Sequence, residues 1–203
     1  APVKIERLVV GTFNRGKARE MTELLQGLAI EVLPLSAFEG ARPVAETGET
    51  FEANALMKAE GLARQIGEWV VADDSGLEVD ALGGRPGVFS ARYGGEGLTD
   101  ADRCQRLLDE LKDKPPDQRA ARFRCVVAMS RGGPERIVTS GAVEGRIAFA
   151  PAGGGGFGYD PVFVPNGYER SFGELGAEVK RRISHRAEAL RRFREELARR
   201  LER

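Results

Sequence analysis

Histidine, tryptophan and cysteine are scarce in this chain of 203 residues, which holds one, one and two of them. Two cysteines, Cys104 and Cys125, provide neither a disulfide framework nor metal-ligand spacing. Cys104 falls in a helical pattern and Cys125 in a strand-like run, so both read as buried free thiols, and a reducing, cytoplasmic setting follows. No apolar run reaches the length of a membrane span, and the start shows no signal-peptide pattern. Excess charge is missing too: 31 Lys and Arg balance 31 Asp and Glu. Nothing global therefore points to DNA, RNA or an anionic membrane. What remains is 41% hydrophobic and 31% charged, the composition of an ordinary globular protein. Residues 1–203 are long enough for one domain, in two lobes, with a proper core.

The order of patterns is that of an α/β protein. Lys4 to Val10, "KIERLVV", reads as a strand, "GTFNRGK" as a turn, "AREMTELL" as a helix, and Ile30 to Leu35, "IEVLPL", as a second strand. Strand, helix and strand in that order argue for a parallel pair with a crossover. After a loop from about Ser36 to Glu49, residues Phe51, Ala55, Ala59, Leu62 and Ile66 mark one face of a long helix. "WVVA", Trp69 to Ala72, is a third strand that delivers an acidic pair, Asp73 and Asp74, before a turn on Ser75-Gly76. Gly83 to Tyr93 reads as loop. Thr99 is placed to cap a helix running to Leu111. Residues 121–130 and 136–147 read as strands joined by "RGGPE". The tail from Ser184 to Arg203 is a final helix.

Four stretches can carry chemistry, and each also has a plainer reading. "GTFNRGK" presents backbone N–H groups at a helix N-terminus, which with the dipole favours an anion. Lys17 adds charge, and Thr12 and Asn14 add short polar arms. Its spacing is not that of a Walker A loop, and Ala18 stands where that motif needs Ser or Thr. Taken alone, it reads more simply as an Asn-capped turn with a surface lysine. Asp73 and Asp74, as neighbours on an extended segment, point to opposite faces. One is expected to face solvent and ligand, and the other to be held by backbone or cations. Open α/β sheets place ligands beyond the carboxyl ends of their strands, where Asp74 and the Thr12 loop are expected. Glu46 in "AETGETFEAN" is a second carboxylate, and hard oxygen ligands with phosphate suit Mg²⁺; an ordinary polar turn is the alternative. In "GGGGFGYDP" the glycines let backbone approach a flat ligand, Phe157 offers a stacking face and Asp160 an acceptor; otherwise it is a glycine loop whose aromatics join the core. In "KRRISHRAEAL" the sole histidine, His185, and Arg186 fall in the first turn of a helix, where cations oppose the dipole unless an anion or carbonyl-rich ligand is near. Lys180 lies just upstream. Residues 178–203 hold ten Lys/Arg against five acids, which a solvated helix face explains.

Together these stretches resemble the inosine/xanthosine triphosphate pyrophosphatases, which act on non-canonical purine nucleotides. The blocks are "TFNRGK", "ETGETFEANALMKA", "ADDSGLEVDALGGRPGVFSARYGG", "GGFGYDPVF" and "ISHRAEAL". They run in order from the first strand to the last helix. One departure is Phe13, which stands where the family has glycine and bears on substrate affinity.

The resemblance implies a long central mixed sheet flanked by helices, with two lobes and a nucleotide cleft between them, in a homodimer. It implies hydrolysis of ITP, dITP and XTP to monophosphate and pyrophosphate with Mg²⁺. By position, Asp74 is the proton acceptor and a metal ligand, and Glu46 the other acidic metal contact. Thr12, Phe13, Asn14, Arg15, Gly16, Lys17 and Ser75 hold phosphates. Phe157, Gly158, Tyr159, Asp160, Lys180, His185 and Arg186 bind the nucleotide, the last two near the base. The partner is a small-molecule nucleotide, with no nucleic acid and no membrane. Donors near the 6-oxo group of hypoxanthine or xanthine would reject the 6-amino group of adenine, because a buried unpaired donor costs about 1–3 kcal/mol. Three rivals stand beside this reading: a pyrophosphatase for another modified or a pyrimidine nucleotide, a non-catalytic nucleotide sensor, and an RNA-binding protein using the arginine-rich tail.

Overall fold

The computed structural model describes residues 4–201. Six strands form one mixed sheet: β1 (Arg7–Val10), β2 (Glu31–Pro34), β3 (Val70–Val79), β4 (Ala120–Ser130), β5 (Arg136–Ile147) and β6 (Phe163–Pro165). The spatial order is β2-β1-β3-β4-β5-β6. β1 runs parallel to both β2 and β3, whereas β5 and β6 are antiparallel. The expected α/β class and the parallel β1–β2 pair are thus present. The intervening helix is α1 (Arg15–Leu24).

Helices α2 (Phe51–Ile66) and α3 (Asp100–Glu110) begin where the sequence signals said. Thr50 and Thr99 accept from the backbone N–H of Ala53 and Asp102, and Asp102 completes a capping box. Short helices α4 (Phe172–Leu175) and α5 (Ala177–Ile183) precede α6 (His185–Leu201). The last two residues of the expected final helix lie outside the described ones. Four features depart from the sequence reading. β6, α4 and α5 are too short to show a period. Gly83 to Tyr93, read as loop, contains a 3₁₀ turn over Gly87–Arg92. β1 starts at Arg7, not Lys4. Most consequential, β3 does not stop at Ala72 and turn on Ser75-Gly76. It continues to Val79, so the acidic pair lies inside the strand and not past its end.

The chain divides into two compact units. The first comprises the chain up to Asp74, Cys125–Gly141 and the chain from Arg186; the second comprises Ser75–Arg124 and Ala142–His185. In the first, period-two alternation sorts the strands between two faces. Leu8, Val10 and Val71 pack with Met21 of α1, Leu25 just after it, and Leu190, Phe193 and Leu197 of α6. Val9 and Val70 pack against Leu62 and Ala63 of α2, and Ala72 against Ala55 and Ala59 of the same helix. Asp73 therefore inherits the face of Val71, toward α1 and α6, and Asp74 that of Ala72, toward α2. In the second unit, Leu77, Leu107, Leu111, Phe123, Phe163 and Phe172 centre a separate core.

Candidate active site

Two adjacent carboxylates of β3, facing opposite ways, organise the first unit's polar cluster. Asp73 is fully buried. Its Oδ2 accepts from Arg186 Nε and Nη2, each at 3.2 Å, and contacts Cys125 Sγ at 3.6 Å. Lys17 Nζ lies 3.5 Å from Oδ1. Burial alone would raise this carboxyl. The charges of Lys17, Arg186 and Lys58 outweigh it and hold Asp73 well below the usual carboxylate range. The third guanidinium nitrogen, Arg186 Nη1, donates to Glu20 Oε2 at 2.5 Å. Two carboxylates thus meet the cation in the first turn of α6, which supplies the anion that its position demands. Burial, offset by the charges of Asp73 and Glu20, leaves Arg186 firmly protonated. Cys125 is pushed up by burial and by Asp73, so it stays a thiol.

Asp74 on the opposite face is in a different state. It is 4% exposed, and its Oδ2 has no hydrogen-bond partner among the described residues. Its pKa is pushed up to about 6, chiefly by burial, with the charges of Glu46 and Asp73 adding and those of Lys58 and Lys17 opposing. Lys58 on α2 serves both carboxylate positions. Its Nζ donates to the Asp73 carbonyl at 2.7 Å and lies 2.5 Å from Glu46 Oε1. Burial disfavours its charge, but Asp73 and Glu46 reverse the sign and keep it protonated.

The β1–α1 turn is closed by its own side chains. Thr12 Oγ1 accepts from Asn14 N, and Asn14 Oδ1 accepts from Lys17 N, both at 3.1 Å. Asn14 is the N-cap of α1, whose first residues are Arg15, Gly16 and Lys17. Phe13 does not need glycine's freedom: no non-glycine residue among those described has positive φ. Its ring is 53% exposed.

The second unit holds the remaining candidates. Ser75 follows Asp74 on β3. Asp160 Oδ2 accepts from Lys180 Nζ at 2.6 Å and from Phe157 N at 3.0 Å. Lys180 Nζ also sits 4.3 Å from the centroid of the Phe157 ring. Gly158 N donates to Asp100 Oδ2 at 2.9 Å, and Tyr159 donates its hydroxyl proton to Ser90 O at 2.6 Å. The glycine run makes room for the protein's own atoms. With φ of +70°, a Cβ on Gly156 would lie 2.1 Å from Asp160 Oδ2, and one on Gly153 would lie 2.2 Å from the Gly173 backbone. His185 is buried and stacks on Phe123, with ring centroids 4.8 Å apart.

The sequence reading missed Lys58 and Glu20, and it read Cys125 correctly as a buried thiol in a strand without placing it beside Asp73. Lys58 carries a visible signal, a cation four residues from Asn54 on a mostly apolar helix. Glu20 and Cys125 are set in place only by the sheet order. Among the described residues, no three His, Cys, Asp or Glu side chains gather to form a metal cage. Asp74, whose Oδ2 lacks a partner among the described residues, and Glu46, whose charge helps raise Asp74, form a pair of carboxylates. That pair suits a cation that takes one or two carboxylates and keeps its waters.

Comparison with known proteins bears on this constellation. Residues 8–196 match the Ham1 family. The chain is 44% identical over 189 residues to the dITP/XTP pyrophosphatase of Bacillus subtilis, covering 93% of this chain and 96% of that one. It is 49% identical over 187 residues to the dITP/XTP pyrophosphatase of Rhodopirellula baltica, covering 92% and 90%. A solved structure of a HAM1 protein from Coxiella burnetii superposes with a TM-score of 0.86 at 40% identity, covering 96% of this chain and 99% of that one.

Proposed function

The chain belongs to the Ham1 family, and from that premise we propose that it hydrolyses non-canonical purine nucleoside triphosphates, ITP, dITP and XTP, to the monophosphate and pyrophosphate. The observation that carries this reading is the contrast between the two carboxylates of β3. Asp73 is locked as an anion by cations, while Asp74 is poised near neutrality. A base that works near pH 7 needs such an environment.

In this reading Asp74 orients the attacking water and takes its proton as the α-phosphorus is attacked and pyrophosphate leaves. Lys17 and the α1 N-terminus, with Thr12 to Gly16 and Ser75, hold the phosphates. Their positive potential favours the charge that develops on the leaving group. Glu46 and Asp74 are assigned to Mg²⁺, which when bound supplies Lewis-acid stabilisation of phosphoryl oxygens. Phe157 to Asp160, Lys180 and His185 are assigned to the nucleoside. Arg186, whose guanidinium donates to Asp73 and Glu20, is given the work of holding Asp73 ionised.

We place the enzyme in the cytoplasm, where the buried free thiols Cys104 and Cys125 stay reduced. No helix among the described residues is long and apolar enough to cross a membrane. We take the working form to be a homodimer, as the family resemblance implies. The test is pyrophosphate release from a panel of nucleoside triphosphates with and without Mg²⁺. Fast, metal-dependent turnover of ITP, dITP and XTP is expected. Preferential turnover of dTTP or UTP overturns the assignment.

A further inference from the structure

The segment that carries Glu46 has no regular secondary structure, yet it is ordered by one face of α2. Its residues alternate: Val44, Glu46 and Gly48 are half-buried, and Pro43, Ala45, Thr47 and Glu49 are exposed. Each of these half-buried positions has a partner on the helix, and so does the backbone of the exposed Arg42. The Gln65 side-chain amide accepts from Arg42 N at 2.7 Å and donates to Arg42 O at 3.1 Å. Val44 lies over Gly61, where a Cβ would come 2.7 Å from Val44 Cγ2 and 3.1 Å from Cγ1. Glu46 pairs with Lys58. The Asn54 amide accepts from Gly48 N at 2.8 Å and donates to Gly48 O at 3.3 Å.

Positions 65, 61, 58 and 54 follow the three-and-four spacing of a single helix face, and positions 42, 44, 46 and 48 follow the two-residue spacing of extended chain. Two extended residues advance about 6.5 Å and one helical turn about 5.4 Å, so the two ladders keep step over four rungs. The strap runs antiparallel to the helix. It is clamped at both ends by bidentate amides and seated in the middle where a helix residue has no side chain.

We propose that this face of α2 is a positioning device for the Glu46 carboxylate, and that Gly61 is the positioning residue that sets the strap's height. The inference rests on the metal-binding role given to Glu46 above. Gly61 is otherwise a poor choice in the interior of a helix. Val44 cannot yield by rotating about χ1, because both of its methyls stand close to the position of the missing Cβ. A methyl at position 61 therefore lifts the strap, and Glu46 moves with it. Lys58 is tied to Asp73 O and does not follow.

The test compares Mn²⁺ binding, measured by electron paramagnetic resonance without nucleotide, in four proteins: wild type, Gly61→Ala, Gly61→Ala/Val44→Ala and Glu46→Gln. Gly61→Ala is expected to stay folded and melt cooperatively, because alanine's better helix propensity offsets part of the cost of lifting the strap. It is nonetheless expected to bind Mn²⁺ about tenfold more weakly, the usual effect of disturbing a ligand's support. Val44→Ala in the same chain leaves only the Val44 Cβ, 3.5 Å from the new methyl, and restores binding. A Gly61→Ala protein that binds Mn²⁺ as wild type does overturns the positioning device. So does a double variant no better than Gly61→Ala. Unchanged binding in Glu46→Gln overturns the metal role of Glu46 itself and takes the inference with it, so the two failures are told apart.

Discussion

Asp73 and Asp74 are neighbours in sequence, and their ionisation affects stability with opposite sign. The folded chain holds the Asp74 proton up to about pH 6, while the unfolded chain releases it near 3.8. Stability from this group is complete below the unfolded value and declines as pH rises from about 4 to 6, by at most ~3 kcal/mol. Asp74→Asn is therefore expected to be more stable than wild type by about 1–3 kcal/mol at pH 8 and equal to it near pH 4, in urea unfolding at the two pH values. Turnover should fall about 10²–10⁴-fold in the same variant. In the wild type, kcat/KM should rise with pH through an acid limb near pH 6, because only the ionised carboxylate accepts a proton. For Asp73, depressed in the fold, the contribution is present above the ordinary carboxylate value and lost as pH falls below it. Asp73→Asn removes the partner that Arg186 engages through two nitrogens. It should cost about 3–5 kcal/mol at pH 7 in the same unfolding measurement, the usual penalty for breaking a buried ion pair.

At the scale of elements, the turn between β1 and α1 is defined by Thr12 and Asn14, while Phe13 contributes a ring and no backbone requirement. Asn14→Ala should cost about 1 kcal/mol through the lost cap and, on the proposed reading, raise KM for the nucleotide, because the cap also shapes the donors assigned to phosphate. Phe13→Gly should change stability by no more than about 1 kcal/mol and leave the metal dependence of turnover intact. Calorimetry and a substrate titration of the two variants check both expectations. Long periodic elements were legible from the chain: α2, α3, β4 and β5 lie within a residue or two of where spacing and caps placed them. The opposite facing of Asp73 and Asp74 was legible too, since it needs only the pleat of a strand. The end of β3 was not legible. "DDSG" has the composition of a turn, and what keeps the acidic pair extended is its burial in the strand beside β4, past the end of β1, with cations already waiting. Those cations, Lys58 from α2 and Arg186 from α6, come from distant segments, and local pattern says nothing about which helix covers which face.

At the scale of the whole molecule, the boundaries of the two units fall between Asp74 and Ser75, Arg124 and Cys125, Gly141 and Ala142, and His185 and Arg186. Each unit is thus assembled from separate stretches of chain. The first unit's main core joins Leu8 and Val10 near the start to Phe193 and Leu197 near the end. That core is completed during biosynthesis only when α6 has left the ribosome, so β1 and α1 wait with their apolar faces uncovered until that helix has been made. A chain stopped at Ile183 should expose those faces permanently: it should bind a hydrophobic dye, lack a cooperative melting transition and depend on chaperones to stay in solution, whereas a chain that includes α6 should do none of these.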